Sequence, residues 1–165
     1  PAPLTSPGSA GHALDSLELH LLANADHNVQ FALLGDRKGA GGDHTEADAA
    51  ILRAAEDGVA TLNERYPRDG AAGSFHRFVR SRRYNAEESV WMGWERKRGA
   101  LTELNRCLRG ATDTSITCYR GDAKFLPGVT FVLTIDSDTV LPRDAVRKLT
   151  STIAHPLNRA HVDEG

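Results

Sequence analysis

The stretch Phe131-Val-Leu-Thr-Ile-Asp-Ser-Asp-Thr139 constrains this chain most. Phe131, Val132, Leu133 and Ile135 make a nearly continuous apolar run, the pattern of a strand in a parallel sheet covered on both faces. A strand is predicted over 129–135, and two carboxylates, Asp136 and Asp138, follow it at once. Open α/β sheets gather their chemistry where strands end on the carboxyl side. Oxygen ligands placed there suit Mg²⁺ or Mn²⁺ bridging to a diphosphate. An Asp-x-Asp triplet alone is a weak signal, and acidic residues after a strand also serve as helix caps. Here the next helix is predicted to start at Pro142, with Asp144 in its first turn. Asp136 and Asp138 fall too early to cap it and are read as metal ligands.

Composition limits the remaining possibilities. The 165 residues suffice for one domain with a real core, and 40% hydrophobic against 25% charged residues is ordinary for a soluble globular protein. A net charge of −2 leaves no general nucleic-acid footprint. No apolar run reaches the length of a membrane span, and no signal peptide is evident. Cys107 and Cys118 suggest neither a disulfide framework nor a zinc site, which fits a reducing compartment. Cys107 is read as a small core residue on a helix. Pro1 and the polar tail His161–Gly165 do not resemble natural termini, so the chain is expected to be part of something larger.

Along the chain, strands and helices alternate. Residues 1–12 are rich in Pro, Gly and Ser and are expected to be a flexible lead-in. Leu14, Leu17, Leu21 and Leu22 recur near helical spacing, although Leu17, Leu19 and Leu21 also alternate as in a strand. Val29–Leu34 predicts a short strand ended by Gly35-Asp36, with a glycine-rich loop to Gly42. A helix is predicted after Thr45 as N-cap, with Glu46 and Asp48 at its positive end and Ile51, Ala54, Ala55, Val59 and Leu62 as its buried stripe. Tyr66-Pro67 stops it. Phe75–Arg80 reads as a half-buried strand. Leu101, Leu104, Asn105 and Leu108 mark a helix that Gly110 ends as C′. Ile116–Tyr119 is read as a strand, and a helix from Pro142 to about Ala154 has Val146, Leu149 and Ile153 facing inward. The main body is expected over 13–158, with 159–165 as a tail. The pattern predicts an α/β fold with a mostly parallel sheet flanked by helices.

A second constellation is basic. Arg77, Arg80, Arg82 and Arg83 precede Trp91-Met-Gly-Trp-Glu-Arg-Lys-Arg-Gly99. Arg77 and Arg80 read equally well as a solvated strand edge that blocks aggregation. Arg96, Lys97 and Arg98 stand before Gly99, where a helix is expected to begin. Helix N-termini attract phosphates, cationic side chains add charge, and Gly99 lets the backbone approach. Trp91 and Trp94 read as core or partner-surface residues, with sugar stacking as the alternative.

Seven segments carry a family resemblance, in order from about Leu4 to Asn158. They are Leu17-Glu-Leu-His-Leu-Leu-Ala-Asn24, Phe31-Ala-Leu-Leu-Gly-Asp36, Trp91 through Leu101, Leu104-Asn105, Leu108-Arg-Gly-Ala-Thr-Asp113, Ile135-Asp-Ser-Asp-Thr139 and Ala154-His-Pro-Leu-Asn158. Together they resemble the glycosyltransferase region of cyclic β-1,2-glucan synthases, very large bacterial inner-membrane enzymes. The resemblance implies an incomplete GT-A-like, Rossmann-like fold, a UDP-glucose donor, a glucan acceptor, and a parent membrane enzyme whose transferase region faces the cytoplasm. It implies that Asp36 contacts uridine. Lys97, Arg98 and Gly99 would lie beside the donor pyrophosphate, with Ala100 where the family usually has Asn. Asp136 and Asp138 match the metal-binding pair, taking Mg²⁺ or Mn²⁺, and Asp136 would also border the donor. The first strand of the fold is expected before Pro1. The catalytic base and the Gln-x-x-Arg-Trp acceptor motif are expected beyond this chain, whose single glutamine is Gln30.

The sequence therefore reads as the donor-binding fragment of an inverting β-1,2-glucosyltransferase, expected to be inactive alone. The alternatives are a nucleotidyltransferase-like enzyme, told apart by a pyrophosphate product, and an inert structural or binding fragment. An RNA-binding module built on Arg77–Arg98 lacks the net positive charge such modules carry.

Overall fold

Capping chemistry decides where the first helices begin, and the strands between them form the frame. The computed structural model describes residues 2–68, 73–119 and 123–158. β1 (Ala2–Leu4) leads into α1 (Pro7–Ala23), β2 (Phe31–Arg37), α2 (Glu46–Arg65) and β3 (Phe75–Arg80). At the start of α1 the Ser6 hydroxyl accepts the Ser9 amide at 3.1 Å, and the Ser9 hydroxyl accepts the Ser6 amide at 3.0 Å. Pro7 sits in the first turn, where its fixed φ suits the helix. Asp48 likewise reaches back to the Thr45 amide at 2.9 Å, so α2 begins where its sequence says it should. Tyr66 closes α2. The expected flexible lead-in is thus corrected: within 1–12, residues 2–4 are strand and 7–12 are helix. Gly, Ser and Pro suggest a loop by composition, but Ser-Pro is also a helix start, and burial of Ala10, Ala13 and Leu14 holds it in place.

β1 runs parallel to β2, with Ala2 opposite Gly35 and Leu4 opposite Arg37. β2 runs parallel to β3, from Phe31 opposite Phe75 to Gly35 opposite Val79. β4 (Arg83–Asn85) and β5 (Val90–Met92) form a separate antiparallel hairpin. α3 (Arg96–Leu108) follows, with Gly110 beyond its end at φ 88° as the expected C′ residue. β6 (Ile116–Tyr119) then pairs antiparallel with β3, and α4 (Ala145–Ala154) is the last α-helix among the described residues. The four-stranded order β1-β2-β3-β6 gives the expected α/β architecture: a mixed, mostly parallel sheet in a partial Rossmann-like fold.

The sheet is covered on both faces. α1 and α2 pack on one, joining Leu4, Leu14, Leu33, Ile51, Val59, Leu62, Phe75 and Val79 in one core. α3 packs on the other, where Ala100, Leu104 and Leu126 meet Leu34 and Phe78. Side chains alternate between faces along a strand. Asp36 therefore shares the α3 face with Leu34, and Arg80 shares it with Phe78. Arg37 follows Leu33 to the α2 face.

Several expectations change. β2 extends through Arg37, so Asp36 lies within the strand instead of ending it. β3 is buried along its whole length rather than half-buried, and Arg77, Arg80 and Arg82 are 5%, 1% and 6% exposed, not a solvated edge. Residues 129–135 form no strand, contrary to the prediction; β2 is flanked by β1 and β3. β6 occupies the outer edge of β3, and β1 offers only three residues. Phe131, Val132 and Leu133 are left exposed. α4 starts at Ala145 and buries Val146, but Leu149 and Ile153 are exposed, not inward. The Asp144 amide donates to Ala23 O at 3.0 Å and the Val146 amide to Asn24 Oδ1 at 3.0 Å, so only the first turn of α4 is seated on α1. The 159–165 tail lies outside the described residues.

Candidate functional site

The parallel strands end together, and the adjoining ends of α1, α2 and α3 are N-termini that carry partial positive charge. Two ionic groups are built at this carboxyl edge.

On the α3 face, the side chain of Arg80 is fully buried. Its Nη2 donates to Asp36 Oδ2 at 2.7 Å and to Arg96 O at 2.6 Å, and its Nη1 donates to Trp94 O at 2.7 Å. Glu103 Oε2 lies 3.7 Å from Nη1 and also accepts from the Ser115 hydroxyl. Adjacent strands in register, each alternating its side chains, make this meeting possible: Gly35 faces Val79, so the next residues, Asp36 and Arg80, come side by side. Glycines clear the space. A Cβ at Gly93 would collide with Arg80 Nη2 and Asp36 Oδ1, and one at Gly99 would collide with Trp94 O.

On the α2 face, Asp48 binds two buried cations. Arg37 Nη1 reaches Oδ2 at 3.0 Å, while Arg82 grips both oxygens at 2.5 and 2.9 Å. Arg82 also donates to Lys38 O and Asp43 O, which fastens the 38–45 loop to the segment after β3. The β4–β5 hairpin is tied to the same loop through two Ala40–Trp91 backbone bonds of 2.9 Å. Burial works to raise the Asp48 pKa, but the Arg82 and Thr45 hydrogen bonds outweigh it and hold the carboxyl well below the usual range.

The sequence-predicted residues separate into those brought together and those left apart. Asp36 sits in the Arg80 group, mostly buried. Gly99 is buried in the first turns of α3 beneath Trp94 O. Lys97, one position past the start of α3, forms an ion pair with Asp136 across 39 residues. That bond and its charge lower the Asp136 pKa. Both side chains remain about half exposed, so the pair is open to solvent. Arg98 points away, with its side chain 82% exposed against Glu95 at 3.3 Å. Asp138 is exposed on the turn that the Thr139 amide closes onto Asp136 O at 3.0 Å.

The donor chemistry of this turn suits a hard divalent cation. Two carboxylates one residue apart supply oxygens of the type Mg²⁺ and Mn²⁺ take. Among the described residues, no group of three or more His, Cys, Asp or Glu side chains could hold a metal. A cation here would complete its shell with water and phosphate, as Mg²⁺ commonly does. A concavity of about 360 Å³, lined by residues such as Leu21, Phe31, Tyr66 and Arg68, opens at the amino ends of the strands, away from all of these groups.

No family model matches the chain. Over 149 residues, 90% of its length, it is 46% identical to Cyclic beta-(1,2)-glucan synthase NdvB of Rhizobium meliloti (strain 1021). The chain resembles one segment of a cyclic β-1,2-glucan synthase. It spans 5% of that relative's length. No described helix is long and apolar enough to cross a membrane.

Sequence reasoning missed Arg80, Glu103 and Asp48 as organisers of this edge. Signals for two of them were present. Glu103 falls on the α3 stripe with Gly99, Ala100 and Leu104, where a carboxylate needs a buried partner. Asp48 holds the third position after Thr45, a capping-box site, and was read for its charge alone. Arg80 gave no such signal, because its partner depends on strand register.

Proposed function

We propose that this chain is the donor-binding segment of a UDP-glucose-dependent, inverting β-1,2-glucosyltransferase within a cyclic β-1,2-glucan synthase. The observation that carries the reading is the Lys97–Asp136 contact. It joins a basic helix N-terminus to a two-carboxylate turn, the two halves a metal-bound diphosphate requires. The 46% identity to NdvB supports the same reading.

In this proposal Asp136 and Asp138 hold Mg²⁺ or Mn²⁺, which would neutralise charge developing on the departing UDP. Lys97 turns from Asp136 toward the diphosphate when donor binds, and the N-terminus of α3 adds its dipole. Asp36, fixed by Arg80, lies at the uridine end. Gly99 allows close backbone approach. Arg98, on the outer side of α3, contributes long-range positive potential. A glucan hydroxyl attacks the anomeric carbon from the face opposite UDP and inverts it. The remainder of the parent protein, at the cytoplasmic face of a bacterial inner membrane, supplies the base and the acceptor site.

The test is calorimetric titration of UDP-glucose into the full-length parent, with and without Mn²⁺, together with its Asp138→Asn variant. Metal-dependent binding that weakens about tenfold or more in Asp138→Asn, with unchanged folding, is expected, since the exposed side chain is a ligand and not packing. Equal binding by parent and variant removes Asp138 from the metal site. Pyrophosphate in place of UDP among the products would reassign the protein as a nucleotidyltransferase.

A further inference from the structure

We propose that Arg80 is a positioning residue for the donor site: one buried guanidinium locks Asp36 and the entrance of α3 into a single rigid unit. The inference rests on the donor-binding reading above.

The segment that leads into α3 is strained. Glu95 and Arg96 both adopt left-handed backbone conformations, at φ 45° and 47°, although neither is glycine. Such conformations persist only where the surroundings over-determine them. Arg80 supplies that determination. It takes the carbonyls of Trp94 and Arg96, which bracket Glu95, at 2.7 and 2.6 Å. Lys97 is the next residue, so the guanidinium fixes where the phosphate-facing lysine begins.

The same side chain reaches a second strand through Asp36 at 2.7 Å. A cation serving only to satisfy buried charge would need just a carboxylate, and Glu103 already stands beside it. Arg80 instead spans β2, β3 and α3. Only a planar fork with several donors can hold three such acceptors at once; a lysine ammonium cannot match that geometry. The arrangement also leaves Arg80 Nε buried with no hydrogen-bond partner among the described residues, an unfavourable feature retained beside the candidate site. Gly93 and Gly99 remove the two Cβ atoms that would block the approach.

The experiment uses the full-length protein carrying Arg80→Lys or, separately, Gly93→Ala. The second variant keeps every charge but inserts a methyl between Arg80 and Asp36. Thermal unfolding, UDP affinity and the steady-state constants for UDP-glucose are measured on the folded fraction. Both variants are expected to lose about 10- to 100-fold in kcat/KM for the donor, the scale of a small misplacement, and lysine is not expected to rescue. Folded Arg80→Lys or Gly93→Ala enzyme with the parent's UDP affinity and kinetic constants, whatever its thermal stability, would overturn the positioning role. If neither variant accumulates as folded protein, Arg80 is a structural cation only and the role is withdrawn. If the unmutated parent binds no uridine nucleotide, the donor reading fails and this inference fails with it; normal binding by parent and variants alike sinks this inference alone.

Discussion

Replacing Asp48 by Asn tests whether the α2-face cluster holds the carboxyl edge together. Asn keeps the shape of Asp and one oxygen for the Thr45 amide, but the change removes the charge and turns an amide donor toward the Arg82 guanidinium. Asp48 is 5% exposed, and the side chains of Arg37 and Arg82 are 5% and 4% exposed. Without the carboxylate, two guanidiniums remain buried with carbonyl partners but no counter-charge. Breaking a buried pair in this way costs about 3–5 kcal/mol. For a chain of this length each kcal/mol shifts Tm by roughly 2–4 °C, so a fall of about 6–20 °C is expected. The assay is thermal unfolding of the 165-residue chain at pH 7, followed by circular dichroism. The sign with pH follows from the depressed carboxyl: its stabilisation is complete above the ordinary value of 3.8 and is lost as pH falls through the lower folded value. The parent should therefore lose stability below about pH 4 more steeply than Asp48→Asn. Adding Arg82→Gln to the variant should recover part of the loss, because one unpaired cation is gone. A Tm within about 2 °C of the parent would mean that the guanidiniums are solvated without the carboxylate and that the cluster does not hold this edge together.

Two further outcomes follow from buried groups. Burial first, then the charge of Arg68, pushes the His76 pKa down to about 4 from 6.5. A depressed histidine favours unfolding once protonated, so stability should fall by about 3 kcal/mol as pH drops from 6.5 to 4. His76→Gln should flatten the denaturation midpoint across that range; an unchanged slope would assign the dependence to other groups. Gly99→Ala would ordinarily favour a helix. Here the added Cβ meets Trp94 O, which Arg80 holds in place. A net loss of about 1–3 kcal/mol in chemical unfolding is expected from that overpacking, and a gain would show the entrance of α3 to be loose.

The elements legible in the sequence were those fixed by neighbours in the chain. α2 could be placed because Thr45, Asp48 and the stripe Ile51, Ala55, Val59 and Leu62 lie within one helix, where capping and a 3.6-residue period are local facts. The end of α3 at Gly110 was readable for the same reason, since a C′ residue at positive φ favours glycine. At the candidate site, the basic run at Lys97 and the carboxylates at Asp136 and Asp138 were visible as residue types. Spacing along the chain did not show their direct contact, because 39 residues separate Lys97 from Asp136; only the family resemblance set both beside one diphosphate.

Read along the chain, the residues give the class of the fold: alternating elements, an α/β sheet, and a concentration of acidic and basic side chains near strand and helix ends. The tertiary structure decided which of those charges were buried and whom they met. Arg80 could be read either as a solvated edge residue or as part of the basic group; only the register of β2 against β3 places Asp36 beside it. The reverse happened at Phe131, Val132 and Leu133. Their pattern is that of a core strand, yet they pair with no strand of the sheet and stay exposed. Hydrophobic pattern and capping act over a few residues and can be read along the chain. Pairing partners, desolvation and close backbone approach arise between distant segments, so they exist only once the fold has formed.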